Sequence, residues 1–274
     1  MGLLTLVPVF AGPEADWYEN AVALTETDYF AGVGESAGWW VGDPEHPDYP
    51  DELFGDRASQ AARVLVGATP RPRPVPGRRW GGSSGWGFGA AAYDFTFYAP
   101  KSVSLMHKSL YARCRFAAAD RIEAAFDAAW GEALEWFDIE ESLAVGYLPD
   151  GTVGLVEHDG LAGVAYPHRM DRSGNPHLHT HIVISRHVMR DGARLHIDIR
   201  HLPDFVPQME ARYRARLRVE LEEAGWELRP LGEPDQDELA DVDPKTIRKW
   251  AGRGGPCRWA PPERRRFSLF SKQQ

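Results

Sequence analysis

The stretch HRMDRSGNPHLHTHIVI, residues 168–184, holds four histidines, a turn and an apolar run within seventeen residues. Ser173, Gly174, Asn175 and Pro176 are turn formers, so the chain is expected to reverse there. Residues 161–168 and 178–188 read as the two strands of a hairpin around that turn. Side chains at i and i+2 of a strand share a face. His179 and His181 therefore look the same way, and the hairpin brings His168, eleven residues before His179, opposite them. Three imidazoles on one face can hold one divalent ion. Leaving further positions open is the arrangement of a catalytic metal rather than a structural one. His177 also lies two residues from His179 and competes for the same role. The run Ile182-Val183-Ile184 roots the second strand in a core.

The rest of the chain supplies partners for this hairpin. AAYDFTFY, residues 91–98, alternates with period two and reads as a strand, and LLTLVPVF, residues 3–10, reads as a shorter one interrupted by Pro8. Pro100 suits the opening of a helix. Residues 115–137 carry Ile122, Phe126, Trp130, Leu134 and Phe137 at helical spacing, and residues 206–224 carry Met209, Tyr213, Leu217 and Leu221 four apart. Residues 194–199 read as another strand, with Asp191-Gly192 as a hairpin turn before it. Residues 16–24 read as a short helix and 27–56, rich in Gly, Pro and acid, as loop. This order predicts an α+β fold, a two-layer sandwich whose central antiparallel sheet carries the histidines and has helices on one face. A single domain over 1–274 is expected. Residues 70–89 (PRPRPVPGRRWGGSSGWGFG) would form a Pro/Gly-rich flap or arm, and 243–274 a basic C-terminal segment, helical in parts, that could begin a continuation.

Charge is segregated. Residues 1–60 carry a net −11, 61–119 a net +8, 120–244 a net −14 and 245–274 a net +8, within a total of −9. Two basic blocks suit a nucleic-acid partner if they fold onto one face; they equally suit a solvated surface. No run of 18 apolar residues could span a membrane. The N-terminus lacks a basic segment ahead of its apolar stretch, and Cys114 and Cys257 are the only cysteines. A reducing, cytoplasmic setting is the expectation.

Three motifs in fixed order carry a resemblance. HRMDRSGNPHLHTHIVISRHV, residues 168–188, resembles the metal-site motif of TrwC-like conjugative relaxases, the MobF class of the HUH endonucleases. Tyr93-Asp94-Phe95-Thr96-Phe97-Tyr98-Ala99-Pro100-Lys101-Ser102-Val103-Ser104 resembles the aspartate strand and helix start of that family. Trp17-Tyr18-Glu19 and Asp28-Tyr29-Phe30, followed by Gly34-Glu35 and Gly38-Trp39, resemble its tyrosine segment, with one tyrosine left in each of the usual pairs. Asn175 stands where the family commonly has Asp.

The resemblance implies the relaxase domain of an enzyme that nicks one DNA strand site-specifically by tyrosine transesterification, through a 5′-phosphotyrosine link. Tyr18 is the first-choice nucleophile and Tyr29 the second. A phenol, with a pKa of about 10, needs help at neutral pH. Asp94 would be the base or orienting group, for the tyrosine or for a metal-bound histidine. His168, His179 and His181 would hold one divalent ion, Mg, Mn, Zn or Ni, that polarises the phosphate. Lys101 and Arg172 are candidate phosphate contacts, and Arg78, Arg79 and Trp80, with Arg71, Arg73 and Trp86, could track and stack single-stranded DNA. The implied partner is single-stranded DNA of a transfer origin with an adjacent hairpin. Relatives continue into a helicase domain, whereas this chain holds no GxxxxGK[ST] phosphate loop. A rolling-circle replication initiator and a non-cleaving DNA-binding relative share these features.

The charge blocks make a direct prediction. Binding of single-stranded DNA should weaken steeply with salt despite the net charge of −9. Neutralising about six phosphates gives a log–log slope of about −4, at roughly −0.7 per phosphate. A slope near zero would remove the basic blocks as the binding surface.

Overall fold

The structure, a computed structural model, describes residues 3–9, 39–42, 90, 92–141, 143–171, 175–198, 202–230 and 237–251. Its main sheet is antiparallel throughout and has five strands: β1 (Leu4–Val9), β2 (Trp39–Gly42), β3 (Ala92–Tyr98), β6 (Ala162–Met170) and β7 (Pro176–Ser185), in the order β1-β3-β7-β6-β2. Pro8 sits in β1 at the sheet edge, where a missing N–H is tolerated. A second sheet is built from β4 (Ala144–Tyr147), β5 (Val153–Val156), β8 (His187–Arg190) and β9 (Ala193–Ile197), in the order β5-β4-β9-β8. The helices are α1 (Lys101–Ala112), α2 (Phe116–Trp136, running into a π-helical turn at Phe137–Glu141), α3 (Leu202–Glu223) and α4 (Pro244–Ala251). A small hairpin joins β10 (Leu228–Pro230) to β11 (Asp237–Leu239).

The sheet has two faces of different chemistry. Phe95, Phe97, Leu178, Ile182 and Ile184 point into the helix layer and join its core. Phe97 meets Tyr213 of α3 at 5.1 Å between ring centroids, and Phe95 meets Phe137 at 5.5 Å. All the apolar positions expected on the two long helices are buried, from Ile122 to Phe137 and from Met209 to Leu221. Each such side chain contributes about 1.5–3 kcal/mol. The intervening residues, Asp94, Thr96, His179, His181 and Val183, face the other way by strand alternation.

Several elements differ from the sequence expectation. Residues 39–42 form a strand within the segment read as loop, because Trp39, Trp40 and Val41 are β-formers among Gly, Pro and acid. The strand expected over 178–188 breaks at Arg186: β7 ends at Ser185 and β8 enters the second sheet. Ser185 Oγ accepts the His187 N–H at 3.0 Å at that corner. Strands β4 and β5 carry no alternation signal, since Val145, Tyr147, Val153 and Leu155 lie outward while Gly146 and Gly154 lie inward with buried Ala144 and Val156. The Asp191-Gly192 turn is as expected, with φ of 50° and 75°, the doubly left-handed form that suits a twisted hairpin. The helix expected over 16–24, the arm at 70–89 and residues 252–274 lie outside the described residues.

An ion cluster ties the helices to β6. Arg169, next to His168 but on the opposite face, pairs with Glu123 of α2, which also takes a bond from His107 of α1 at 2.8 Å. Burial alone would raise the Glu123 carboxyl, but the bonds from His107 and Arg169 outweigh it and hold it at about 2. One turn later Asp127 accepts the Trp130 indole N–H, at 2.9 Å. Burial pushes its carboxyl up to about 6; the indole bond offsets part of this and Glu123 adds to it. A carboxyl raised in the folded state from an ordinary 3.8 costs stability as pH climbs through the window between the two values. Asp127→Asn keeps the acceptor for Trp130 and should therefore raise the melting temperature at pH 7.5 by several degrees, on the order of 2 kcal/mol. At pH 3.5 the two proteins should melt together; an equal gain at both pH values would contradict the titration.

Candidate metal centre

The β6–β7 ladder places His168 directly across from His179, and His181 two residues further along β7 on the same face. The three rings form a nearly equilateral triangle, with centroids 5.0, 5.1 and 5.2 Å apart. One donor nitrogen from each lies within 4.8 Å of the others, and all three residues are buried. His168 Nδ1 is 3.3 Å from His179 Nε2, close to the separation of about 3.3 Å that two nitrogens take on a tetrahedral ion with 2.0–2.1 Å bonds.

Protonation and orientation also suit a metal. Burial, followed by the mutual repulsion of the rings, holds His168 and His179 well below the usual imidazole range, so both stand neutral with lone pairs available. The His177 carbonyl accepts the Nδ1–H of His179 at 2.7 Å, and the Asp94 carboxylate lies 2.8 Å from His181 Nδ1. Each bond leaves Nε2 for an ion. His168 Nε2 is buried with no hydrogen-bond partner among the described residues. Three buried imidazoles, two of them oriented by acceptors at Nδ1, are a donor set that fits a divalent cation.

Strand β3 supplies the support behind the ligands. Asp94, Thr96 and Tyr98 alternate onto the site face. The Thr96 hydroxyl donates to Asp94 Oδ1 at 3.0 Å and lies 3.0 Å from His181 Nδ1. Both carboxylate oxygens of Asp94 thus have partners inside the sheet. The Tyr98 ring stacks on His177 and His179, with centroids 5.3 and 5.7 Å away. Thr96 and Tyr98 were legible only as strand residues, although the period of two that exposes Asp94 places them on its face.

His177 stands beside the triad rather than in it. The register shifts between His168↔His179 and Met170↔Pro176, where β7 carries one residue more than β6. The His177 ring lies 4.9 Å from that of His179, beside the same Tyr98 ring. Lys101, expected on phosphate, donates to the Pro176 carbonyl at 2.7 Å and so secures the start of β7. Burial lowers its pKa, against the pull of Asp171 and Glu238. Asp171 and Asn175 close the turn, with the Asn175 amide bonded to both carboxylate oxygens. Tyr18, Tyr29, Arg78, Arg79, Trp80 and Arg172 lie outside the described residues.

With this geometry in place, comparison with known proteins is decisive. The family model of the TrwC relaxase matches residues 11–257. The chain belongs to the TrwC relaxase family. It is therefore a DNA-nicking transesterase of that family, in agreement with the three motifs. Among solved structures, the fold matches TrwC complexed with a 27-mer DNA comprising the recognition hairpin and the cleavage site, at TM-score 0.64 and 23% identity over 91% of this chain and 79% of that one. It also matches a copper-bound complex of TrwC with oriT DNA, at TM-score 0.65 and 25% identity over 91% and 80%, and a metal-bound complex at TM-score 0.63 and 23% identity over 91% and 80%. No curated protein matches the chain.

If Asp94 holds His181 for metal binding, Asp94→Ala should lower divalent-metal affinity by about 10–100-fold while the fold persists. Calorimetric titration of manganese or zinc measures this, and unchanged affinity would contradict the role.

Proposed function

We propose that this relaxase cleaves one strand of a transfer-origin DNA, with a hairpin beside the cleavage site, and keeps the 5′ end on Tyr18. The observation that carries the reading is the buried triangle of His168, His179 and His181 with Asp94 and Thr96 behind it. These three histidines would hold one divalent ion. When bound, the ion supplies Lewis-acid polarisation of the scissile phosphate. The tyrosine phenol loses its proton to solvent, its oxygen bonds to phosphorus, and the phosphorus–O3′ bond breaks to leave a 3′-oxygen that takes up a proton from solvent and becomes the 3′-hydroxyl. Asp94 acts on His181 rather than on the phenol in this reading, because His181 and Thr96 occupy both of its oxygens. A neutral His179 and His168 keep the site receptive to cation and phosphate. Among the described residues no helix is long and apolar enough to cross a membrane.

Tyr18 is preferred to Tyr29 because Asp28 beside Tyr29 opposes both phenolate formation and an approaching phosphate. Incubation with a labelled single-stranded transfer-origin oligonucleotide and a divalent metal tests the assignment. Wild type should form a covalent adduct; Tyr18→Phe should lose the adduct and keep oligonucleotide binding; Tyr29→Phe should keep the first cleavage. Adduct loss only in Tyr29→Phe would reverse the two tyrosines, and loss in neither would remove tyrosine linkage as the chemistry.

A further inference from the structure

We propose that Ser104 is a positioning residue of the metal centre, acting on His179 through the peptide between His177 and Leu178. Pairing of β7 with β3 stops at Tyr98↔His179, because the chain turns at Ala99-Pro100 into α1. Residues 176–178 continue past that point, and on the β6 side they carry the bulge. Leu178 is only 3% exposed, so its backbone groups need partners within the protein. The first turn of α1 provides them. Ala99 N–H donates to the Leu178 carbonyl at 2.9 Å, and Leu178 N–H donates to Ser104 Oγ at 3.0 Å.

The Leu178 N–H and the His177 carbonyl belong to one rigid peptide plane and project from opposite edges of it. Ser104 grips the N–H edge. The carbonyl edge accepts the His179 Nδ1–H at 2.7 Å. Ser104 is itself fixed, 2% exposed, with its hydroxyl donating to the Pro100 carbonyl at 3.4 Å. The serine hydroxyl thus sets the carbonyl, the carbonyl sets the His179 tautomer, and the tautomer leaves Nε2 turned toward His168. Without that hydroxyl the plane can tilt, and the proton of His179 loses its preference for Nδ1. Ser102 is an internal control. It is equally buried on the same turn and accepts the Leu239 N–H at 2.7 Å, a bond to β11 that does not reach β7.

The proposal rests on the reading of the three histidines as metal ligands, so its test includes one of them. Manganese and zinc affinities would be measured by titration calorimetry for wild type, Ser104→Ala, Ser104→Thr, Ser102→Ala and His181→Ala. The His179 tautomer would be read from ¹⁵N shifts of the metal-free protein. Ser104→Ala should bind metal about tenfold or more weakly and lose the pure Nδ1–H signature. Ser104→Thr, which keeps the oxygen, should restore both. Ser102→Ala should melt earlier yet keep affinity within about twofold of wild type. Ser104→Cys, nearly isosteric but a poor acceptor, replaces the alanine variant if that variant does not fold, and should weaken in the same direction. Wild-type affinity and tautomer in Ser104→Ala or Ser104→Cys, or an equal loss in Ser102→Ala, would overturn the role of Ser104. Undiminished affinity in His181→Ala would instead overturn the metal-centre reading beneath it.

Discussion

A slip of one residue in the pairing of β6 with β7 would turn either His168 or the His179/His181 pair onto the helix-covered face, because strand side chains alternate. The whole site depends on that register. It is held from both sides, since β7 lies between β3 and β6 in the sheet. Leu178, Ile182 and Ile184 fit only the apolar helix face, which fixes the parity of β7. Arg169, paired beneath the sheet with Glu123, which His107 also meets, fixes the parity of β6 one residue from His168. Apolar burial and an ion cluster on one face thereby determine what the other face can bind.

The same arrangement accounts for the chemistry of the imidazoles. Burial is unfavourable for the charged forms of His168 and His179, and the two stand as neutral donors. Their orientation comes from acceptors on the far side of each ring, a carboxylate for His181 and a backbone carbonyl for His179. Asp94 is in turn held by Thr96. The centre is thus rigid, with layers of support that extend from the ligands through β3 to the first turn of α1, as phosphoryl-transfer chemistry demands of groups that act by position and charge.

The hairpin and its triad were legible because their signals are local: a four-residue turn, a period of two and a spacing of eleven residues. The long helices were legible from Ile122–Phe137 and Met209–Leu221 for the same reason. The exclusion of His177 was not legible from spacing, which aligns it with His179; it came with the family resemblance. Nor was the bond from Leu178 to Ser104, which joins residues 74 apart through a backbone group. Strands β4 and β5 escaped because their larger apolar residues face outward over inward glycines, the inverse of the usual pattern. The tyrosines came from family resemblance alone.

The central claim is that one divalent ion sits among His168, His179 and His181. Anomalous diffraction from crystals loaded with manganese or zinc tests it most directly. The account predicts a single peak within bonding distance, about 2.0–2.3 Å, of one nitrogen from each of these three histidines. A peak ligated by His177 in place of any of them, or one lying away from β6 and β7, would contradict it.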